Sequence, residues 1–472
     1  MYLLNFNEKE IKSMKKILLG SFILVIILLF AVYNMVNRMP SKELSLNEQV
    51  YEILSDAECL MCHSYNPELP FYAKIPLVRR PIYQDMNAAL KEENLKPVMD
   101  SLAKGVPVSI TAVNKIEQIA INGNMPPARF YLLHWGSQLT QEKRDVIISW
   151  AKQQRLEGYL SQLDDAELAD KLASEPVFPI LYDIPVDSAK VELGFKLYHD
   201  TRLSLDNTVS CASCHGLATG GVDNKQFSEG VDGKLGGVNA PTVYNAVYNF
   251  VQFWDGRAAT LAAQAAGPPL NPVEMASTSF DEIIAKLEKD KELSAEFKKV
   301  YPEGYSEATI TDAIQEFEKT LITKNSPFDC YMMGDMSAMT EQQIAGYNDF
   351  KKYSCATCHS GVNFGGNTYE LMGTRSNYFT ARGTELTTED FGRYKETKSE
   401  YDRHKFKVPG LRNVALTAPY FHDGTITSLK NAIMYMGEYQ LDVNLTQQEV
   451  DNIEAFLNAL TGEIPATAKV SK

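Results

Sequence analysis

The chain has 472 residues and carries 60 acidic against 46 basic side chains, a net charge of −14. That length calls for several hydrophobic cores, at roughly 100 to 200 residues per domain. The negative charge repels phosphate backbones, so no nucleic acid is expected as a partner; small molecules and redox proteins are.

The first predicted element is the apolar run ILLGSFILVIILLFAVYNMV at residues 17–36, close to the ~20 residues of one membrane-spanning helix. Lys9, Lys12, Lys15 and Lys16 precede it, which places the N-terminus in the cytoplasm and everything after residue 40 in the periplasm. A cleaved signal peptide starting at Met14 is the competing reading, against which stand the length of the run and the lack of an A-x-A site.

Seven cysteines in an exported chain normally suggest disulfides. Six of them instead fall in three C-x-x-C-H segments: Cys59, Cys62 and His63; Cys211, Cys214 and His215; Cys355, Cys358 and His359. Two thiols one helical turn apart can each add to a vinyl group of one porphyrin, and the adjacent imidazole then reaches the iron. No second cysteine pair follows to complete a zinc site. Three covalently bound haems c are therefore expected.

After the first segment, Met125 in Asn-Met-Pro-Pro is the candidate sixth ligand, because the prolines fix an irregular loop that can aim sulfur at a haem face. His134 in Leu-Leu-His-Trp is the rival. A charged helix, LDDAELADKLASE, and the proline-bearing VFPILYDIPVD then mark a boundary near 155–180, and Ser326-Pro327 marks a second.

The second and third haem regions read as copies of one another. VELGFKLYHD and IAGYNDFKKY each suit a helix leading into Ser-Cys-Ala-x-Cys-His. Further on, PTVYNA from Pro241 aligns without a gap on PGLRNV from Pro409, an offset of 168 residues that also sets FWDG at 253–256 on FHDG at 421–424 and Leu261 on Leu429. In this register Met436 of the third copy falls on Pro268 of the second. Proline offers iron no lone pair, so the third haem keeps a sixth ligand and the middle one is left open to substrate. Residues 216–250 contain no histidine to replace it.

Glu274 follows in Asn-Pro-Val-Glu-Met. A carboxylate among apolar neighbours near an open iron suits general acid–base work; a solvent-facing residue or a helix cap is the plain alternative. Met275 is a second, unaligned candidate for the iron. Cys330 reads as a small buried hydrophobe, His199 and His404 as surface residues, and His422 as a hydrogen-bonding neighbour of the third haem.

SCASCHG, NAPTVYNA, FWDGRA, NPVEM, SCATCHSG and FKVPGLRNVALTAPYFHDG, followed by Met436-Gly437, resemble in their order the bacterial dihaem cytochrome c peroxidase family. The likeness is closer still to its three-haem, membrane-anchored branch that includes quinol peroxidases, and runs from about residue 50 to 462. The resemblance implies that the middle haem, on His215, is peroxidatic, with Gln264 and Glu274 on its distal side and Trp254 between two haems. It implies His359 and Met436 on the third iron, and a calcium ion held by Asn239, Thr417 and Pro419. Electrons are expected from the quinol pool or a small cytochrome, through the first and third haems, to hydrogen peroxide at the middle one. Two departures from the family pattern matter. Many members carry a histidine after the middle haem that reduction must displace; its absence here predicts activity without reductive activation. A related branch oxidises a protein tryptophan and places tyrosine where Met436 stands; Tyr435 and Tyr439 flank it here. A purely electron-transferring cytochrome is the remaining alternative.

The expected fold is mainly α. It comprises a cytoplasmic tail and transmembrane anchor (1–40), an N-terminal monohaem domain (41–160), a peroxidatic haem domain (161–325) and an electron-transfer haem domain (326–472), with loops supplying the methionines.

Overall fold

The computed structural model describes residues 8–469; the start of the expected cytoplasmic tail, residues 1–7, and the last three residues lie outside them. The fold is mainly helical, with one two-stranded sheet among the described residues. Two compact units divide the chain: residues 1–108 with 115–158, and residues 159–472 with 109–114.

In the first unit, α1 (Glu8–Val36) contains a 25-residue candidate span, Lys12–Val36, whose most apolar 18 residues have a mean hydropathy of 2.6 and are not buried within the protein. At 1.5 Å per residue it is long enough to cross a hydrocarbon core of ~30 Å. α2 (Leu46–Asp56) opens with a capping box in which Ser45 and Glu48 satisfy each other's backbone. α3 (Pro76–Glu92) follows the first C-x-x-C-H segment. α4 (Gln141–Glu157) packs on α2 around the fully buried Trp150, whose Nε1 donates to Asn47 at 2.8 Å.

The second unit contains the predicted duplication. α5 (Ser188–Tyr198), α6 (Leu261–Ala265) and α7 (Glu307–Glu318) belong to the first copy; α8 (Glu341–Lys352), α9 (Leu429–Tyr435) and α10 (Gln447–Asn458) to the second. α5 crosses α7 at Gly194, and α8 crosses α10 at Gly346. A Cβ at either glycine would lie 1.9 Å from a carbonyl oxygen of the opposing helix, that of Ala313 or Asn452. Backbone approach this close is open only to glycine. Ser326, fully buried, caps the short helix Pro327–Met332, and Cys330 within it is half-buried rather than enclosed, because that helix turns one face outward.

The 168-residue offset is visible in the backbone itself. Left-handed Asn245 and Asn413 (φ 60° and 61°), Phe253 and Phe421 (66° and 69°), and Gly256 and Gly424 (69° and 57°) fall in register. So do the bridges Gln252–Ala258 and Tyr420–Ile426, and the first residues of α6 and α9. The copies part after that point: α6 ends at Ala265, whereas α9 runs into a wider i→i+5 turn, Met436–Leu441. Met436 thus sits on a helical extension rather than in the expected loop, and such wide turns commonly occur at functional sites. Met125 does lie in a loop.

Candidate haem and peroxide site

Each of the three C-x-x-C-H segments forms a single helical turn, Cys59–Met61, Cys211–Cys214 and Cys355–Cys358, with all six cysteines free of disulfides. Burial pushes the first thiol of each pair, Cys59, Cys211 and Cys355, up to about 12. It also holds His63, His215 and His359 below the ordinary imidazole range, His359 at about 4, so the rings are neutral as iron ligands must be.

His63 Nδ1 donates to the Glu93 carbonyl at 3.0 Å and His359 Nδ1 to the Phe364 carbonyl at 3.1 Å. That bond fixes the tautomer and leaves Nε2 with its lone pair directed away from the backbone. His215 is half-buried, its Nδ1 enclosed and facing the carbonyls of Gly221 and Pro241 without closing a hydrogen bond. In the first unit, fully buried Lys143 has no partner for Nζ. A buried cation of this kind suits an acidic group such as a haem propionate, so these residues fit covalent haem.

Both ring nitrogens of His134 are engaged. Nδ1 lies 2.8 Å from the Glu58 carboxylate, Nε2 meets the Tyr72 hydroxyl, and the ring stacks on Phe130 at 3.9 Å. Met125, half-buried in its loop, has no such commitment.

Around the middle segment, Glu274 is half-buried and electrostatically felt by both Cys211 and Cys214. Burial raises its pKa, against the opposing pull of the Arg257 charge and of Asn271, whose Nδ2 donates to Oε1 at 2.8 Å. Its carbonyl accepts from Val231 at 2.8 Å and its amide donates to Asn271, so the backbone is pinned on both sides. Glu274 caps no helix; the following one is capped by Ser279. Met275 is buried in the core cluster of Leu193, Leu197 and Ala265, and its carbonyl accepts from the Leu205 amide at 2.8 Å. Gln264 sits on α6, half-buried.

Trp254 lies half-buried against Phe406 and His422, each ring centroid 6.4 Å away. Its carbonyl accepts from the Lys407 amide, and Nε1 donates to the Asn239 carbonyl. Asn239 uses its own Nδ2 on the Lys225 carbonyl at 2.9 Å, and Asn224 donates to the carbonyls of Leu416 and Ala418, on either side of Thr417 and next to Pro419. Asn239 and the 416–418 turn therefore both contact the loop 224–226, and Pro419 lines one hollow with Asn224 and Gln226. Among the described residues no cluster of three or more His, Cys, Asp or Glu is placed to bind a metal; oxygen from amides and carbonyls is what this region offers, and a hard cation accepts it.

A model of the di-haem cytochrome c peroxidase family matches residues 188–337, and one of a haem-binding domain matches residues 22–153. The chain is 49% identical over 424 residues to the cytochrome c peroxidase Ccp of Escherichia coli, covering 90% of each chain. The chain belongs to the di-haem cytochrome c peroxidase family. It is a haem c peroxidase. The cytochrome c551 peroxidase of Nitrosomonas europaea is 44% identical over 298 residues, covering 62% of this chain and 86% of that one. Among solved structures, a MauG-like protein associated with microbial copper homeostasis superimposes with a TM-score of 0.55 at 26% identity, over 63% of this chain and 95% of the other. The haem-binding-domain match over residues 22–153 is consistent with the three-haem, membrane-anchored branch.

Sequence reading missed several groups near the peroxidase site. Arg257, inside the FWDGRA motif, places its guanidinium 3.5 Å from the Phe253 ring centroid and pairs with Asp255; its sign next to Glu274 was the available clue. Asp390 bonds both Arg382 and His422, the latter at 2.8 Å, and is held far below the usual carboxylate range. Buried Lys407 is lowered to about 8, and buried Glu318 is raised to about 8, each by desolvation. His404 is not a surface residue: it is half-buried, with Nδ1 on the Asp390 carbonyl at 2.6 Å and its ring between Phe379 and Phe391. His199 is likewise half-buried, tied back to the Phe195 carbonyl at the end of α5.

Proposed function

We propose that this peroxidase reduces hydrogen peroxide to two waters at the middle of three cytochrome-c-like haem domains, on the periplasmic side of a membrane in which α1 is retained as an anchor. The observation that carries the reading is the repeat register, in which Pro268 stands where the other copy has Met436, seven residues beyond Leu261 and Leu429, where the backbone match at 168 residues ends. Haem bound at Cys211, Cys214 and His215 would supply the iron at which the O–O bond breaks. Cys59, Cys62, His63 and Met125 would hold a first haem, and Cys355, Cys358, His359 and Met436 a third.

The chain's own residues then move the protons. Asn271 occupies Oε1 of Glu274, leaving Oε2 to take the proton from the bound peroxide oxygen and return it to the departing one. Transfer by a positioned carboxylate of raised pKa is efficient near neutral pH. Gln264 would orient the peroxide, and Trp254 would lie on the path between haem domains. Asn239, Thr417 and Pro419 would hold Ca²⁺. Two electrons and two protons balance each peroxide; quinol or a small cytochrome supplies the electrons, and the apolar α1 puts the quinol pool within reach.

Electron paramagnetic resonance of the oxidised holoprotein tests this reading. One high-spin ferric centre beside low-spin ones is expected; exclusively low-spin iron, before and after partial reduction, rejects it.

A further inference from the structure

The first unit exposes a set of large apolar side chains unusual for a water-facing surface: Phe71 (80% exposed), Ile75, Leu77 (90%), Leu132 (75%), Leu133 and Trp135. Two segments carry them, and those segments touch, because Tyr72 bonds His134 and packs edge-on against its ring. Contiguous apolar patches of this kind mark an interaction surface rather than free solvent contact.

The occupant follows from where the patch sits. The end of α1 is fastened to the same segment: Asn37 donates to the Trp135 carbonyl at 2.8 Å, Tyr33 donates to Gln138, and Gly136 lies against the Val36 backbone. The patch is therefore continuous with the end of the apolar helix, at the level where Tyr33 and Trp135 would form an aromatic belt. Charge points the same way. Between Glu68 and Asp85 the chain carries Lys74, Arg79 and Arg80, all exposed, and no acidic residue, against a net charge of −14 overall. Exposed bases beside apolar side chains are the pattern that seats on anionic lipid headgroups.

We propose that Phe71–Leu77 and Leu132–Trp135 form a second membrane contact, seated at the headgroup–acyl boundary of the leaflet in which α1 ends. The proposal rests on reading α1 as a retained membrane helix. Its consequence is that the first haem domain is held against the bilayer in one orientation. His134, between Leu133 and Trp135, bonds Glu58, the residue preceding Cys59, so the lipid-facing loop is tied directly to the first haem attachment. A donor diffusing in the bilayer plane would meet that haem without leaving the lipid.

The test uses the full-length holoprotein, one chain per nanodisc of mixed phosphatidylcholine and phosphatidylglycerol, in a Cys330→Ser background so that every remaining native cysteine is bound to haem. Single cysteines replace Leu77, Leu132, Ile26 in α1, and Leu386, an exposed residue of the second unit, and their rates of reaction with a membrane-impermeant maleimide are compared. Positions 77 and 132 are expected to react at least about tenfold more slowly than 386, as buried interfacial residues do. Rates at 77 and 132 equal to that at 386, with position 26 protected, overturn the proposal and leave the anchor standing. Fast labelling at position 26 as well overturns the anchor itself, and the proposal with it.

Discussion

The side-chain amide of Asn271 donates to Oε1 of Glu274 at 2.8 Å. Three residues apart in one turn, they set the charge state of the carboxylate proposed to move the peroxide protons. Burial favours the neutral acid; Asn271 and the Arg257 charge favour the carboxylate.

A pH dependence follows from that balance. Glu274 must be ionised to accept a proton, so turnover falls as pH drops through its pKa, and the acid limb of kcat/KM lies above the ordinary 4.5. Asn271→Ala and Arg257→Met each remove a group that favours the carboxylate, and both should move the limb to higher pH. A limb unmoved in both variants would separate Glu274 from the rate. In linkage terms the folded state binds this proton more tightly than the unfolded chain, so the group's contribution to stability falls as pH rises from 4.5 through the raised value.

The first haem should distinguish Met125 from His134. With both nitrogens of His134 already engaged by Glu58 and Tyr72, Met125→Ala is expected to add a second high-spin ferric signal, and His134→Ala to add none. His134→Ala should instead lower stability by about 1 kcal/mol, since it removes a partner of the half-buried Tyr72 hydroxyl while exposed Glu58 returns to water. A new high-spin signal in His134→Ala alone would reverse the assignment.

The glycine crossings give a stability test. Gly346→Ala would bring a Cβ within 1.9 Å of the Asn452 carbonyl oxygen, so α8 and α10 must separate. A loss of about 1–3 kcal/mol is expected from such overpacking, read as a lower denaturant midpoint for the holoprotein. An unchanged midpoint would mean that the crossing is slack.

Much of this was legible in the residues because it depends on local order. The C-x-x-C-H turns need four or five consecutive positions, and the repeat register rests on Asn, Phe and Gly residues that adopt left-handed backbone at matching places. What escaped was set by tertiary contact. Arg382, Asp390 and His422 converge from separate stretches of the chain, and no spacing rule brings them together. His404 looked solvated among charged neighbours, yet Phe379 and Phe391 enclose its ring. Met436 was expected in a loop, because the extension of α9 into a wide turn is an outcome of packing: Tyr435 and Tyr439 join an aromatic cluster with Tyr378 and Phe421. Lys407 and Glu318 owe their displaced pKa values to burial, which composition does not report.

The most direct measurement of the central claim is steady-state hydrogen peroxide reduction by Glu274→Gln, taken together with its ferric spin state. Turnover should fall by about 10²–10⁴-fold, the usual weight of a positioned acid–base group, while the high-spin signal persists. Full turnover with the signal intact would contradict the role assigned to Glu274.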